Sequence, residues 1–370
     1  MSPPTARRSD ARIDSLEVRP YKIPTATPES DGTLQWDSTT LVYVEVRAAG
    51  ETGIGFTYAD AATAKLIETI LYDTIVGTDA LQIGARWNDM YARTRNLGRG
   101  GITSMAVSAV DVALWDLKGK LLGVPAYVLL GSTRASVPVY GSGGFTAYSE
   151  QELCAQLAGW VDDGIPRVKM KVGRAPLADT KRVTAARAAI GEATELFVDA
   201  NGAYSTQQAL GLAQKFAEQG VTWFEEPVYR EDYAGTRFVR ERAPAGMDIS
   251  SGEYGYDLYT FSRMIEARSI DVLQADATRC GGFSGLLAVD GLCQSTMTPL
   301  STHCAPHLHL HAAMACKQLR HIEYFFDHVR IECMLFDGSG DPEKGELAPD
   351  STRPGIGLEL RRIDAERYAI

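Results

Sequence analysis

The sequence lacks the excess of basic residues that nucleic-acid binding requires. Its 370 residues include 37 lysines and arginines against 47 aspartates and glutamates, which gives a formal net charge of −10. Because nucleic-acid binding relies on a basic surface that neutralises phosphates, this composition argues against a nucleic-acid partner. No apolar run approaches the roughly 20 residues that a membrane-spanning helix needs, so we expect no membrane partner either.

Paired cysteines are also missing, since the six cysteines form neither a CxxC pair nor zinc-finger spacing. They are Cys154, Cys280, Cys293, Cys304, Cys316 and Cys333. The opening MSPPTARRSD contains Arg7-Arg8, but no apolar segment follows, which argues against a twin-arginine export signal and predicts a frayed tail. Scattered thiols in such a chain predict reduced cysteines and a cytoplasmic location.

Residues 1–135 have the pattern of an α+β domain. Alternating apolar residues at Ile13–Val18 and Leu41–Arg47 predict half-buried antiparallel strands. Ser104–Leu122 has apolar residues at helical spacing, and Gly123-Val124-Pro125 ends that helix.

Residues 136–340 change to a strand–helix rhythm with the spacing of βα units. Helix-compatible segments such as Leu177–Ile190 and Ser205–Gln219 separate eight short apolar runs. The runs are Val137–Gly141, Arg167–Val172, Leu196–Asn201, Thr222–Pro227, Asp248–Glu253, Asp271–Ala277, Met297–His303 and His321–Phe326. Eight units predict a closed (β/α)8 barrel. The alternative, an open doubly wound sheet, would be favoured by G-x-G-x-x-G after the first strand, where the chain instead has Gly141-Ser142-Gly143-Gly144.

The last segment, residues 341–370, follows the eighth unit and contains the alternating stretch PGIGLEL. We expect it to pack back on the N-terminal domain and to complete a capping unit over the barrel.

Three carboxylates fall near the ends of successive runs: Asp199, Glu225 and Glu253. Catalytic groups of a (β/α)8 barrel gather where strands end, and three neighbouring acids repel one another unless a cation or protons compensate them. Oxygen ligands favour a hard cation such as Mg²⁺. Asn201 lies two residues after Asp199 and therefore faces the same side, where it can support the ligands.

Lys169 and Lys171 are two apart in the second run and point to one face of the strand. A barrel strand is buried on both faces, so a solvent-facing pair is not expected there. Inside the barrel, burial, mutual repulsion and a nearby dication would lower both pKa values, and a lysine with a pKa near neutral can serve as a base.

On the sixth and seventh runs, Asp276 and His303 form a candidate acid–base dyad, in which the carboxylate would fix the imidazole tautomer. Glu323 in the eighth run could, if protonated, donate a hydrogen bond to a developing oxyanion. An ion pair of Glu323 with Arg320 or Arg330 is an equal alternative.

An H-x-H-x-H stretch, His307, His309 and His311, is compatible with a zinc site. The stretch follows the seventh strand and enters an alanine-rich helical segment, so we interpret it as solvated residues at a helix start.

Several motifs together make the chain resemble the enolase superfamily, and within it the mandelate racemase subgroup. They are Lys169-Met170-Lys171, Asp199-Ala200-Asn201, Trp223-Phe224-Glu225-Glu226-Pro227, Gly252-Glu253, Asp276 with Gly281-Gly282, Ser301-Thr302-His303 and SAVDVALWDLKGK. The resemblance spans nearly the whole chain. It implies an enolase-type barrel under a capping domain and, as partners, a small carboxylate substrate and other copies of the chain in a dimer or octamer.

The resemblance also implies roles. Asp199, Glu225 and Glu253 would bind Mg²⁺; Lys171 would be a base on one face and His303, oriented by Asp276, the catalyst on the other. Lys169 would neutralise the substrate carboxylate and tune Lys171. Loops near Tyr21–Asp37 and Gly55–Ala61 would set specificity, with Trp36 and Tyr58 as candidate substrate contacts beside Asn201.

The leading functional hypothesis is dehydration of a sugar acid to a 2-keto-3-deoxy acid. The polar composition of the first loop (Glu29, Ser30, Asp31, Gln35 and Asp37) suits a polyhydroxylated ligand. Racemisation or epimerisation of a 2-hydroxy acid is the alternative, because Lys171 and His303 serve it equally well. A non-catalytic barrel that binds ligands is a third hypothesis.

Overall fold

The computed structural model describes residues 11–370, so the tail predicted to be frayed lies outside the described residues. The described chain opens with an antiparallel sheet in the order β1-β2-β3. Its strands are β1 (Ile13–Ser30), β2 (Gln35–Ala48) and β3 (Glu51–Tyr58). The predicted loop Tyr21–Asp37 is therefore mostly strand, with only residues 31–34 between β1 and β2.

The predicted loop Gly55–Ala61 is also wrong in its first half, because Gly55–Tyr58 lies in β3. The reason is packing. A Cβ atom on Gly55 would lie 2.2 Å from the carbonyl oxygen of Ala109, so glycine permits this strand to press against a helix.

The helix that Gly55 packs against is α4 (Ile102–Leu122), the long helix of the capping unit. Its predicted end is confirmed, and Gly123 follows the last helical residue in a left-handed conformation. The helical segments of the unit are α1 (Ala62–Leu66), a π-helical turn (Ile67–Leu71), α2 (Tyr72–Ile75), α3 (Ile83–Arg93), a 3₁₀ turn (Arg95–Leu97), α4 (Ile102–Leu122) and α5 (Ala126–Leu130). Buried side chains of α4 join those of β2 in one apolar core.

Eight parallel strands follow and close into a barrel, because the last pairs with the first. They are β4 (Val137–Gly143), β5 (Arg167–Lys171), β6 (Glu195–Asp199), β7 (Val221–Glu225), β8 (Asp248–Ser251), β9 (Val272–Ala275), β10 (Leu300–Thr302) and β11 (Leu319–Phe325). Each lies within one of the eight predicted runs or overlaps it. The predicted (β/α)8 barrel is confirmed.

A helix follows every barrel strand. The helices are α6 (Glu150–Asp162), α7 (Pro176–Ile190), α8 (Thr206–Ala217), α9 (Tyr233–Arg240), α10 (Leu258–Glu266), α11 (Gly282–Thr296), α12 (Pro306–Ala313) and α13 (Phe326–Leu335). They surround the barrel with an apolar core that includes Phe216, Phe224 and Phe283. None of the helices in residues 11–370 combines the length and apolar character needed to cross a membrane.

The final segment touches both units. It contains β12 (Phe336–Asp337), β13 (Glu346–Leu347), β14 (Glu359–Leu360), α14 (Arg362–Ala365) and a 3₁₀ turn (Glu366–Tyr368). β13 pairs with β4 of the barrel, whereas the backbone N–H of Ile370 donates to Pro20 in the capping sheet. The boundaries at residues 135 and 340 stay a prediction.

Candidate active site

Three carboxylates meet at the end of the barrel where its strands terminate. Asp199 is the last residue of β6, Glu225 is the last of β7, and Glu253 lies two residues after β8. All three side chains are buried, and one oxygen of each lies within 4.8 Å of the others. Burial and the nearby Asp199 raise the pKa of Glu225 well above its ordinary value, which is the repulsion expected of crowded acids.

This set fits a divalent cation held by oxygen atoms. Glu253 Oε2 is buried and has no hydrogen-bond donor, and the same is true of Asn201 Oδ1. Buried acceptors without a donor are rare, so their presence beside two further carboxylates indicates room for a positively charged ligand. Asn201 also donates its backbone N–H to Asp199 Oδ1 over 2.8 Å, which orients that carboxylate.

Lys169 and Lys171 both point into the barrel among these acids. Lys169 is fully buried, and its Nζ lies 2.7 and 2.8 Å from the two oxygens of Glu225 and 2.7 Å from Glu323. Lys171 donates to Asp199 Oδ2.

The lowered lysine pKa values were predicted with a dication beside the lysines, so that prediction stays open, and the protein groups by themselves act in the opposite direction. Burial lowers the pKa of Lys171, but attraction to Asp199 outweighs burial and the repulsion from Lys169, so the pKa is raised. The pKa of Lys169 is likewise raised, since Glu225 and Glu323 together outweigh burial. A cation bound to Asp199 competes with Lys171 for that oxygen and acts in the opposite direction.

His303 and Asp276 form the expected dyad. His303 follows β10 and donates from Nδ1 to Asp276 Oδ2 over 2.8 Å, which leaves Nε2 on the other side of the ring. Nε2 lies 3.4 Å from Glu253 Oε2. Burial would raise the pKa of Asp276, but the hydrogen bond from His303 and the nearby positive charge of Arg279 lower it, so Asp276 remains an anion that orients the imidazole.

Glu323 does not form the ion pair with Arg320 or Arg330 that was one prediction for it. Arg320 binds Asp248, and Arg330 binds Asp327. Burial would raise the pKa of Glu323, but Lys169 and other nearby positive charges lower it, which disfavours the protonated form that the second prediction requires. The donor role therefore stays a prediction.

Glu323 instead binds three groups of the barrel interior. It accepts from Ser142 Oγ over 2.6 Å and from the backbone N–H of Cys304 over 2.8 Å, in addition to Lys169. The carboxylate thus holds Lys169 and the turn after His303 in place. Potential ligand atoms of His303, Cys304 and Glu323 also lie close together, but these hydrogen bonds already occupy Glu323.

The histidine triplet lies in α12, as the helix prediction requires, but all three side chains are buried, so their expected exposure to solvent is wrong. His307 Nδ1 lies 2.7 Å from Glu332, and Nε2 lies 2.8 Å from the carbonyl oxygen of Gly340. His309 accepts the backbone N–H of Ala277 on Nε2, which fixes the turn that carries Asp276.

A cavity of about 480 Å³ opens above the carboxylates, between the barrel and the capping sheet. Lys171, Asn201, Glu253 and His303 line its floor, and Trp36 and Tyr58 line its roof. Trp36 donates from Nε1 to Glu29, and Tyr58 donates its hydroxyl to Glu332. The structure therefore brings Lys171, His303 and the predicted substrate-contact residues around one cavity, with Glu253 as the one predicted metal ligand among the described residues that line it. Asp199 and Glu225 are buried beside Glu253, and the roles of all these residues stay predictions.

Sequence reasoning missed three residues that line the same cavity: Tyr254, Arg279 and His328. Arg279 donates to the carbonyl oxygen of Glu253 and lies 3.5 Å from Asp276. Its position three residues after Asp276, at the end of the sixth strand, was a usable signal. His328 lies in a helix after the eighth strand, and no pattern in the sequence distinguishes it from the histidines of α12.

Comparisons with known proteins agree with this geometry. A family model described as the mandelate racemase/muconate lactonizing enzyme N-terminal domain matches residues 16–131, and one described as enolase C-terminal domain-like matches residues 152–364. A 3,6-anhydro-alpha-L-galactonate cycloisomerase of Streptomyces coelicolor is 33% identical over 95% of this chain and 98% of its own.

Two solved structures extend the comparison. A mandelate racemase/muconate lactonizing enzyme-like protein from Rubrobacter xylanophilus is 53% identical, with a TM-score of 0.95 over 97% of this chain and 100% of its own. An L-talarate dehydratase from Polaromonas sp., complexed with Mg and L-glucarate, is 29% identical, with a TM-score of 0.87 over 97% of both chains. The chain therefore belongs to the mandelate racemase/muconate lactonizing enzyme family of the enolase superfamily.

Proposed function

We propose that this protein is a Mg²⁺-dependent enzyme that removes the proton next to the carboxylate of a sugar acid and dehydrates the acid to a 2-keto-3-deoxy acid. The observation that carries the proposal is the position of Lys171 at the Asp199 end of the carboxylate set and of His303 at the Glu253 end. Both side chains line one cavity, so a substrate held there meets a proton-transfer group from each barrel side.

Asp199, Glu225 and Glu253 are the residues proposed to hold the magnesium ion. Their support is the all-oxygen set with donor-free Glu253 Oε2, together with the Mg bound in the L-talarate dehydratase that this chain resembles. A magnesium ion held there supplies positive charge that stabilises the negative charge developing on the substrate carboxylate.

The proton next to a carboxylate is very weakly acidic, so its removal needs positive groups fixed in advance. His303 receives that proton on Nε2 in our proposal, because Asp276 holds Nδ1–H and leaves Nε2 as the acceptor. The bond from the β-carbon to its hydroxyl then breaks, and an acid such as the Lys171 ammonium gives the hydroxyl a proton so that water leaves. The resulting enol tautomerises to the 2-keto acid.

Lys169 and Glu323 are proposed to support this chemistry by balancing charge in the barrel interior beneath the cavity. Lys169 pairs with Glu225 and Glu323, and its ammonium lies over the Tyr140 ring, so its charge compensates the two carboxylates. That compensation keeps the acids of the site ionised in a water-poor interior, where unpaired charges are costly.

Proton return without loss of water is the second candidate, and it would make the protein a racemase or epimerase. The observation that favours it is the same pair of groups, Lys171 and His303, at the two ends of the carboxylate set. The resemblance to the Streptomyces coelicolor cycloisomerase adds cycloisomerisation as a third candidate reaction.

One experiment separates these reactions. The protein is incubated with Mg²⁺ in deuterated water with a panel of aldonic and aldaric acids, and the products are followed by NMR. Dehydration gives a 2-keto-3-deoxy acid, whereas racemisation gives deuterium at the α-carbon without a keto acid. We expect keto acid from at least one member and its loss when EDTA is added. A folded, magnesium-loaded protein that gives neither product nor exchange with any acid would instead be a non-catalytic binding barrel.

A further inference from the structure

The cavity above the carboxylates has a floor and a roof of different charge. At the floor, the cationic side chains are Lys171 and Arg279, and both already contact carboxylates of the site. The roof is formed by the capping sheet and by the start of α13, and it carries Asp31, Asp60 and His328.

The roof offers no cation to a ligand. Among the described residues that line the cavity, lysine and arginine occur at the floor alone. Asp31 is buried, and its Oδ1 accepts from the backbone N–H groups of Thr33 and Leu34, which keeps it fixed. Behind the roof, Asp327 accepts from Thr39 Oγ1 and pairs with Arg330, so the charge of that arginine is matched within the protein.

His328 does not supply the missing cation, because its ring is held neutral. Its Nδ1 accepts the backbone N–H of Ala305 over 3.2 Å, and an imidazolium has no acceptor nitrogen. Burial also lowers its pKa well below the ordinary value. The ring proton therefore sits on Nε2, which has no hydrogen-bond acceptor within residues 11–370.

The ring of His328 is also fixed in direction. It stacks on Tyr58 with ring centroids 3.4 Å apart, and Tyr58 is in turn held through its hydroxyl by Glu332. His328 thus presents one neutral N–H donor at the cavity, beside the hydroxyls of Ser38 and Thr39.

We propose that the substrate is a sugar monocarboxylate, whose single carboxylate binds at the floor and whose far end carries hydroxyls, one of which accepts from His328 Nε2–H. This inference rests on the proposed function. An aldarate would place its second carboxylate against Asp31 and Asp60 with no cation to meet it, and like charges brought together in a partly dry site cost binding energy. A hydroxyl end matches neutral donors and acceptors.

The test compares aldonates with aldarates of the same configuration, such as galactonate with galactarate and gluconate with glucarate, which differ only at C6. We expect kcat/KM of the magnesium enzyme to favour the aldonate of a pair by about tenfold or more. An aldarate used as well as or better than its aldonate overturns the inference and leaves the proposed function intact. If no acid exchanges its α-proton, the proposed function fails, and calorimetric affinities for the same pairs still decide the inference.

Two variants sharpen the test. Asp31→Asn keeps the acceptor oxygen for Thr33 and Leu34 but removes the buried charge, so the aldarate-to-aldonate ratio of kcat/KM should rise severalfold. Asp60→Asn is the matched control, because Asp60 is exposed and its charge is screened, so its ratio should change less. Equal ratios in the parent protein and in Asp31→Asn would contradict the role given to the roof charge.

The hydrogen bond of His328 is tested with a cycle that combines one change in the protein with one change in the substrate. His328→Phe keeps a ring that can stack on Tyr58 but removes the donor, so kcat/KM for the aldonate should fall about tenfold, mainly through KM. Acids that lack one distal hydroxyl should lose activity with the parent enzyme and lose little more with the variant. Full additivity for every deoxy acid would show that His328 acts only on structure.

Discussion

Two layers of the barrel interior differ sharply although only two residues separate them along each strand. The lower layer is aromatic and contains Tyr140, Phe197, Trp223 and Val272, with His321 packed among the rings. The upper layer is ionised. Phe197 precedes Asp199, Trp223 precedes Glu225, and His321 precedes Glu323, so one step of the strand periodicity changes the interior from packed rings to paired charges.

The difference indicates how the fold keeps several ions in a buried place. Phe197 and Trp223 stack with ring centroids 5.3 Å apart, and both rings are fully buried below the acids, so the charged layer rests on packed apolar rings. In that environment the opposite charges of Lys169 and Glu225 attract each other strongly, and removing either one leaves a costly unpaired ion. We therefore expect the lower layer to contribute mainly to stability and the upper layer mainly to reactivity.

The largest expected effect comes from breaking the upper layer. His303→Asn keeps a side chain that can bond to Asp276 but cannot take a proton, so we expect turnover to fall by roughly 10²–10⁴-fold. A thousandfold loss corresponds to about 4 kcal/mol of barrier. The measurement is steady-state turnover of the best acid from the panel, with thermal unfolding followed in parallel.

Lys171→Met is the companion change, and we expect a comparable loss of turnover from it. Cys154→Ser, on the half-exposed face of α6 and far from the cavity, serves as the control that should leave turnover unaltered. If either site variant retains more than a tenth of the parent turnover, the proton-transfer roles are wrong.

A change in the lower layer should instead reduce stability and leave turnover nearly unaltered. Phe197→Ala removes a fully buried ring and leaves a cavity, so we expect a loss of about 3–5 kcal/mol in the free energy of unfolding. Turnover of the folded protein should stay within severalfold of the parent, since the Phe197 ring contributes neither a charge nor a hydrogen bond to the upper layer. Denaturant unfolding measures the loss of stability, and steady-state turnover at a temperature where the variant stays folded measures the retained activity. A turnover loss as large as that of His303→Asn would show that the two layers do not have separate roles.

The sequence predicted the layered barrel because strand ends follow from periodicity. Short apolar runs at βα spacing located all eight strands, and Asp199 and Glu225 were expected near the ends of two of those runs, where the structure places them. Closure of the barrel then brings Glu253 and His303 into the same place, since strand order is fixed once the strands are parallel.

Partners of individual side chains could not be predicted in the same way. Glu323 faced the interior as expected, but its choice of Lys169 over Arg320 depends on which neighbours cross the barrel. Pairing across a closed barrel joins residues more than 150 positions apart, and periodicity carries no information on such distances. The burial of His309 could not be predicted from the sequence either, because the start of an alanine-rich helix can be solvent-exposed or buried.

The smallest effect is expected at a hydrogen bond that links the two layers. Trp223 belongs to the aromatic layer, but its Nε1 donates to Glu225 Oε2 over 3.0 Å. Trp223→Phe keeps an aromatic ring and removes that donor, so we expect the affinity for Mg²⁺ to fall about tenfold, as is typical when a supporting hydrogen bond to a metal ligand is lost. Calorimetric titration with Mg²⁺ measures it. Phe197→Leu is the matched control, because it also reduces the side-chain volume of the lower layer but removes no hydrogen bond to a carboxylate. Equal losses of Mg²⁺ affinity in the two variants would mean that packing volume, and not the hydrogen bond, connects the aromatic layer to the charged one.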